Sequence, residues 1–296
     1  MNRAGALVSI VMPFLNVAPY LEEAIESVRA QTYPDWELFL IDDGSTDGST
    51  ETAQRFATMD PARIRWVEHE GHRSLGASAS RNVGLALARG EYFAMLDGDD
   101  VWLPRKLTEQ VAILSTHPKV DVLCGSTEYW YSWARDAVAL RPDLIVTPGL
   151  PEGSLLHPPE FLILLLQERI PIPCTCDIIA RSDAVRRSGG FEATFTHVFT
   201  DQAFYAKLFL GAPVLITHAC WSRYRRHQAS SVETVKRAGD LSATQLRYLT
   251  WVDTLLDMRG VRDVRLRRAL RTALWRARYP RLRRIAQRFG HALTRG

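Results

Sequence analysis

Three aspartates fall within four positions at the end of an apolar run in 94-AMLDGDDVW-102, namely Asp97, Asp99 and Asp100. Like charges this close repel one another, and a buried carboxylate without a partner is costly. The cluster therefore calls for a cation opposite it. An Asp-x-Asp at a strand end projects two carboxylates from one tight turn, and Gly98 between them lets backbone and ligand approach closely. A divalent ion held this way bridges phosphate oxygens and offsets their charge. The other common routes to a phosphate are missing from the sequence. It contains no G-x-x-x-x-G-K loop, and Gly76 and Gly84 do not make a G-x-G-x-x-G fingerprint. A solvated acidic turn would also supply an Asp-x-Asp, so its place in the fold decides between the two readings.

The elements around it argue for the first. Segments 7-LVSIVMP-13, 36-WELFLID-42, 63-RIRWVEH-69 and 91-EYFAMLD-97 read as strands. They alternate with helical patterns at 20-YLEEAIESVRAQ-31, 49-STETAQRFA-57 and 77-ASASRNVGLALAR-89. Such alternation predicts an α/β fold, a mostly parallel sheet flanked by helices. Ligands of open sheets gather at the carboxyl ends of the strands. Three polar clusters, 13-PFLN-16, 42-DDGSTDGS-49 and 97-DGDD-100, fall at that edge. Further on, 147–160 reads as a Pro-rich loop and 160-EFLILLLQE-168 as a short helix. A strand at 174-CTCDIIA-180, a helix at 201-DQAFYAKLFL-210 and two more strands toward Tyr224 follow. From about Gly239 only helices are expected, with a boundary near 232–240.

The residues 8–50, 76-GASASRNVGLALARGEYFAMLDGDDVWLPRKL-107, 189-GGFE-192 and 224-YRRHQASS-231 together resemble family 2 glycosyltransferases with the Rossmann-like GT-A fold. The resemblance spans roughly 7–232 and is loose over 117–188. It implies a GT-A domain over 1–235, with the nucleotide-sugar half at 1–115 and the acceptor side at 116–235. It also implies an inverting transferase that moves a sugar from a nucleotide-diphosphate sugar, UDP-sugar favoured, with Mn²⁺ or Mg²⁺. A saccharide, lipid-linked or other hydroxyl acceptor in cell-surface glycan synthesis would receive it. Carried over residue by residue, Pro13, Phe14 and Asn16 line the nucleotide pocket and Asp43 accepts a hydrogen bond from the base. Asp97 lies near ribose and metal, Gly98 lets the donor close in, and Asp99 ligates the metal. The helix start at 76–82 turns its N–H groups and Arg81 toward the donor, where the helix dipole favours anions. Asp42, and on the bland reading Asp43 too, suits a turn or helix cap.

Inversion needs a base to take the acceptor hydroxyl proton. In the family it is an acidic residue after a Gly-Gly-Phe turn, which here selects Asp201, with Glu192 and His197 as rivals. Thr200 stands where a glutamate is usual. His227 matches a late Tyr-Arg-x-His motif near metal or diphosphate, and Arg225, Arg226 and His227 together form a plausible phosphate clamp.

The net charge of +4 conceals an asymmetry. From Arg259 to Gly296 there are thirteen arginines against Asp263, a local +12, which leaves −8 for the rest. An acidic body with a basic tail is not a general nucleic-acid binder. Residues 236–296 read as a basic amphipathic helical extension, with Leu266, Leu270, Ala273, Leu274 and Ala277 in one stripe and Leu282, Ile285, Ala286, Phe289 and Leu293 in another. Such a face either lies on an anionic membrane or docks on the acidic body. No apolar run reaches the ~18 residues of a spanning helix. Four cysteines, Cys124, Cys174, Cys176 and Cys220, suit a reducing compartment. The expected location is the cytoplasm, peripherally at the inner face of the membrane if the tail binds lipid. Rival readings are a nucleotidyltransferase, which also needs metal and nucleotide, and a catalytically silent sugar-nucleotide-binding scaffold.

Overall fold

The computed structural model describes residues 5–133, 142–196, 198–227 and 241–279. Strands β1 (Val8–Phe14) and β2 (Trp36–Asp42) are buried along their whole length, as their unbroken β-branched and apolar sequence requires. Between them α1 (Ala18–Arg29) turns Leu21, Ala24, Ile25 and Val28 inward at helical spacing. The elements α2 (Ser49–Met59), β3 (Ile64–Glu68), a 3₁₀ turn at 70–72, α3 (Ala77–Leu87) and β4 (Tyr92–Met95) complete the alternating half. There follow β5 (Val101–Trp102), α4 (Lys106–Thr116), β6 (Val122–Trp130), β7 (Leu144–Val146), β8 (Leu155–Leu156) and α5 (Glu160–Leu166). Last come β9 (Ile179–Arg181), α6 (Ser182–Ser188), α7 (Thr200–Leu208), β10 (Val214–Arg225), α8 (Leu241–Met258) and α9 (Val264–Arg278).

One sheet runs in the order β3-β2-β1-β4-β9-β6-β10-β5, with β7 on β6 and β8 on β10. The pairs β1–β2, β2–β3, β1–β4 and β6–β10 are parallel. Strand β9 runs antiparallel to β4 and β6, and β5 antiparallel to β10. The sheet is α/β and mixed, with helices on both faces. Ile10, Leu38 and Ala94 share a core with α1, α2 and α4 on one side, while Val11, Phe39 and Phe93 share one with α3 and α5 to α9 on the other.

Three expectations are corrected. Residues 174–177 are not strand: Asp177 N–H closes a turn on Cys174 O at 3.3 Å. The Asp177 carboxylate is drawn inward to accept from Gly125 N at 2.6 Å, so β9 begins only at Ile179. The two strands expected toward Tyr224 are one strand, β10, with register shifts on either side of Cys220. The loop at 147–160 carries the short strand β8.

The apolar stripe of α9 docks on the body. Leu266, Ala269, Leu270 and Ala273 are buried in one core with Tyr248, Leu249, Val252 and Leu256 of α8 and with α5 and α7. Asp263 caps the helix by accepting from Leu266 N at 2.9 Å. Arg267 pairs with Asp253 and Asp257, and Arg276 donates to Gln167 O at 3.1 Å. What this leaves outward is arginine, with Trp275 and Tyr279 at its end 44% and 45% exposed. The second stripe, 282–293, and the expected boundary at 232–240 lie outside the described residues. No helix among the described residues is long and apolar enough to cross a membrane. Leu270, 1% exposed, provides a test of the docking. Leu270→Ala should cost about 2–5 kcal/mol in denaturant unfolding, whereas a helix merely resting on the surface would lose well under 1 kcal/mol, as surface substitutions do.

Candidate active site

Strands β1, β2 and β4 end at one edge, and the chemistry gathers there. Beyond β4, Leu96 N still pairs with Val11 O at 3.1 Å, and Asp100 N closes the acidic turn on Asp97 O at 3.0 Å. A β-carbon on Gly98 would meet Phe14 Cβ at 2.9 Å and Val17 Cγ2 at 3.1 Å, so only glycine lets this turn lie on β1. The packing explains why a phenylalanine stands at position 14. Phe14 is 3% exposed and supports the turn from beneath rather than lining a pocket. Pro13 is likewise buried within β1, paired with Ile41. Asn16 is exposed in the left-handed region at φ 52°, and its Oδ1 accepts from Thr46 N at 2.8 Å, tying the β1 and β2 ends together.

Asp42 is the turn residue expected, accepting from Gly44 N and Ser45 N at 3.1 and 2.8 Å and from Thr50 Oγ1. Asp43 is fully engaged as well. Its carboxylate accepts from Leu75 N at 2.8 Å, Gly76 N at 3.0 Å, Ser74 Oγ at 2.9 Å and Ser80 Oγ at 3.2 Å. His69 Nε2 lies 3.4 Å away. Asp43 thus anchors the loop leading into α3, and a base would reach this carboxylate only by displacing part of that set.

The three aspartates of the turn separate into three environments. Asp97 Oδ1 accepts from Arg81 Nη2 at 2.5 Å, and Thr175 Oγ1 donates to its other oxygen at 3.3 Å. Asp99 Oδ2 lies 2.9 Å from His227 Nε2. Asp100 is wholly buried, accepts from Arg225 N at 2.9 Å, and keeps Oδ2 without a partner. Burial pushes the Asp100 carboxyl well up, and the Cys176 sulfur, Asp99 and Asp97 add to it.

Arg81 joins the two halves of the chain. Its side chain is 4% exposed, and Nη1 donates to Thr200 Oγ1 at 3.4 Å. Burial disfavours the guanidinium charge, yet Asp97 and, more weakly, Asp201 hold its pKa above the usual value. Asp201 itself sits in the first turn of α7, its Oδ1 accepting from Gln202 N at 2.8 Å. Burial raises its carboxyl, while that N–H and Arg81 pull it down. A carboxylate at a helix N-terminus is also favoured by the dipole. The Gly-Gly-Phe turn is held to α3 by a residue that was given no role from sequence: the Asn82 amide donates to Phe191 O at 3.0 Å and accepts from Phe191 N at 2.8 Å. Its only signal was its place beside Arg81 in 76-GASASRN-82. Glu192 is drawn off toward Lys207 at 3.9 Å and Thr194 at 3.1 Å. His197, the other rival base, lies outside the described residues.

The expected phosphate clamp does not hold together. Arg225 is 3% exposed, sandwiched by Tyr20, Trp130 and Trp133 with ring centroids 4.5–5.1 Å from its guanidinium carbon. It donates from Nε to Asp99 O at 2.8 Å and from Nη2 to Glu23 at 2.5 Å. Arg225 braces the acidic turn from behind. Arg226 lies over the Tyr129 and Tyr224 rings at 5.5 and 5.2 Å. His227 alone of the three faces the aspartates, with Nδ1 buried and unpartnered.

A carboxylate oxygen of Asp99 and a ring nitrogen of His227 converge, donors of the kind that suit a divalent cation such as Mg²⁺ or Mn²⁺, while both Asp97 oxygens on the same turn already accept from Arg81 and Thr175.

The glycosyl transferase family 2 pattern matches residues 9–187. Over 155 residues the chain is 47% identical to the uncharacterized glycosyltransferase EpsJ of Bacillus subtilis, covering 52% of this chain and 41% of that one. Over 120 residues it is 41% identical to glycosyltransferase GlyG of Streptococcus pneumoniae, covering 40% and 38%. The chain spans about half the length, or less, of the curated relatives it matches. Among solved structures, S. aureus TarS 1-349 in complex with UDP-GlcNAc superposes with a TM-score of 0.69 at 16% identity, over 92% of this chain and 72% of that one. The mannosyltransferase PcManGT from Pyrobaculum calidifontis, in complex with GDP-Man and Mn²⁺, gives 0.59 at 19% identity over 98% and 81%. At such identities the two show a shared fold. With the family pattern covering more than half of its length, the chain belongs to glycosyl transferase family 2.

Proposed function

We propose that this glycosyltransferase is metal-dependent and inverting, and moves a sugar from a nucleotide-diphosphate sugar, UDP-sugar favoured, to a saccharide, lipid-linked or other hydroxyl acceptor. The observation that carries the reading is the bridge Asp97–Arg81–Thr200, which sets the acidic turn of the donor half beside Asp201 of the acceptor half. The neighbours bound to UDP-GlcNAc and to GDP-Man with Mn²⁺ support the donor class and the cation. Asp97, Asp99 and His227 would hold that cation, which when bound offsets the diphosphate charge and makes it a better leaving group. Asp201 accepts the proton of the acceptor hydroxyl as the new glycosidic bond forms on the face opposite the departing diphosphate. Arg81, fixed between Asp97 and Thr200, orients the turn and favours the ionised form of Asp201. Asp43 and Asn16 hold the loops that border the nucleotide. The arginine face of α9 is suited to an anionic membrane by charge, although its apolar side is already buried in the body.

Thermal shift with a panel of nucleoside diphosphates and nucleotide sugars, with and without Mn²⁺, tests the donor site. One nucleotide family should stabilise the protein only with metal, by roughly 2.7 kcal/mol at a hundredfold excess over Kd, and Asp99→Ala should lose the effect. Equal stabilisation with and without metal would rule out the role given to Asp99.

A further inference from the structure

Behind the acidic turn lies a second set of ligand atoms that the reaction does not use. Cys174 Sγ and Cys176 Sγ are 2.9 Å apart, and both lie within 4.8 Å of an Asp100 carboxylate oxygen. The turn at 174–177 explains how a Cys-x-Cys can converge. On a strand, alternate residues share a face but stand about 7 Å apart along it, whereas here the chain bends between them and Asp177 N closes on Cys174 O. Cys176 and Asp100 are fully buried and Cys174 is half-buried, so the set opens to solvent through Cys174. The independent observation is Asp100 Oδ2. A fully buried carboxylate oxygen without any partner is costly, and buried polar groups are otherwise satisfied.

We propose that Cys174, Cys176 and Asp100 form a site for a thiophilic divalent cation, Zn²⁺ or Cd²⁺ by chemistry, distinct from the oxygen-rich site at Asp97 and Asp99. Two sulfurs select soft or borderline cations over Mg²⁺ and Mn²⁺. Three protein ligands leave the fourth tetrahedral position to solvent. On binding, each thiol, and the Asp100 carboxyl where burial keeps it protonated, releases its proton to water as sulfur and oxygen take the metal, and no electrons move. Two thiolates and a carboxylate around a dication leave one net negative charge in the protein interior. Lys106, fully buried with Nζ donating to Gln110 Oε1 and Asp177 O, has its pKa pushed down to about 8 by burial, and negative charge on Asp177, Cys176 and Cys174 favours its cationic form. The two sites share one turn: Asp99 serves one and its neighbour Asp100 the other, with Arg225 bonded to both residues from behind.

The test titrates Cd²⁺ into the full chain, kept reduced by a phosphine, and reads the ultraviolet charge-transfer band that only thiolate-bound cadmium produces. The band should saturate in stoichiometric proportion to protein, be bleached by competing Zn²⁺, and resist excess Mn²⁺ or Mg²⁺. Cys174→Ala, Cys176→Ala and Asp100→Asn should each weaken Cd²⁺ at least roughly tenfold. A measurement on the unaltered protein guards against variants that misfold: Zn²⁺ should slow maleimide labelling of Cys174, and Mg²⁺ should not. Absence of the band, or a band that survives in folded Cys174→Ala and Cys176→Ala variants and so arises from Cys124 or Cys220, overturns the proposal. Neither outcome depends on the donor site, because Mn²⁺-dependent nucleotide stabilisation is measured separately.

Discussion

Asp201→Asn should lower kcat by about 10²–10⁴-fold, the usual worth of a positioned general base, while nucleotide binding with metal stays close to that of the unaltered enzyme. The amide oxygen can still accept from Gln202 N, so the start of α7 is preserved and only the proton acceptor is lost. The pH profile carries the same assignment. A base works in its ionised form, and burial raises the Asp201 carboxyl above its usual range. The acidic limb of kcat should therefore lie above that of an exposed aspartate, with rate falling tenfold per pH unit below it. Arg81 opposes the shift, so replacing it should move the limb further up. If Asp201→Asn kept nearly full kcat, the base would have to be sought elsewhere, and Glu192 would need to leave Lys207 to serve.

How much of this was legible in the sequence follows from how local each signal is. The strand ends were visible because buried parallel strands write continuous apolar runs that stop at 42-DD-43 and 97-DGDD-100. Asp201 is singled out in the sequence by its distance from the Gly-Gly-Phe turn, and the Arg81–Thr200 hydrogen bond shows what the threonine beside it does in place of a glutamate. The direction in which a side chain turns was not legible. In 224-YRRHQ the three basic residues read as one cluster, but β10 ends at Arg225, so the strand pattern does not fix which way Arg226 and His227 turn. Arg225 went to an aromatic enclosure 202 residues from its partner Glu23 in sequence, and His227 to Asp99. The turn at 174–177 was hidden for a related reason. Its apolar alternation reads as strand, while the force that bends it is a buried hydrogen bond from Gly125 to Asp177 across 52 residues. The docking of α9 was undecidable from its amphipathic pattern, since a lipid surface and a protein core ask for the same stripe.

The two halves of the acidic turn should respond in opposite ways to removal of charge, and the contrast separates structure from chemistry. Asp97→Asn leaves the buried Arg81 guanidinium without its charged partner, held by a neutral amide oxygen and by Thr200 Oγ1 at 3.4 Å, with an Nε already lacking a partner. Breaking a buried pair on one side costs about 3–5 kcal/mol, and Asp201 nearby places this case toward the lower end. The melting temperature should fall accordingly and transfer should drop. Asp99→Asn removes a carboxylate that is 21% exposed and bonded to a single histidine, so stability should change by about 1 kcal/mol or less. Metal-dependent nucleotide stabilisation should nonetheless vanish. The pair is read from denaturant unfolding of the free protein beside the Mn²⁺-dependent thermal shift of each variant. An Asp97→Asn protein as stable as the unaltered chain would mean that Arg81 is held by Asp201, making the link between the two halves electrostatic through the base itself rather than through the donor turn.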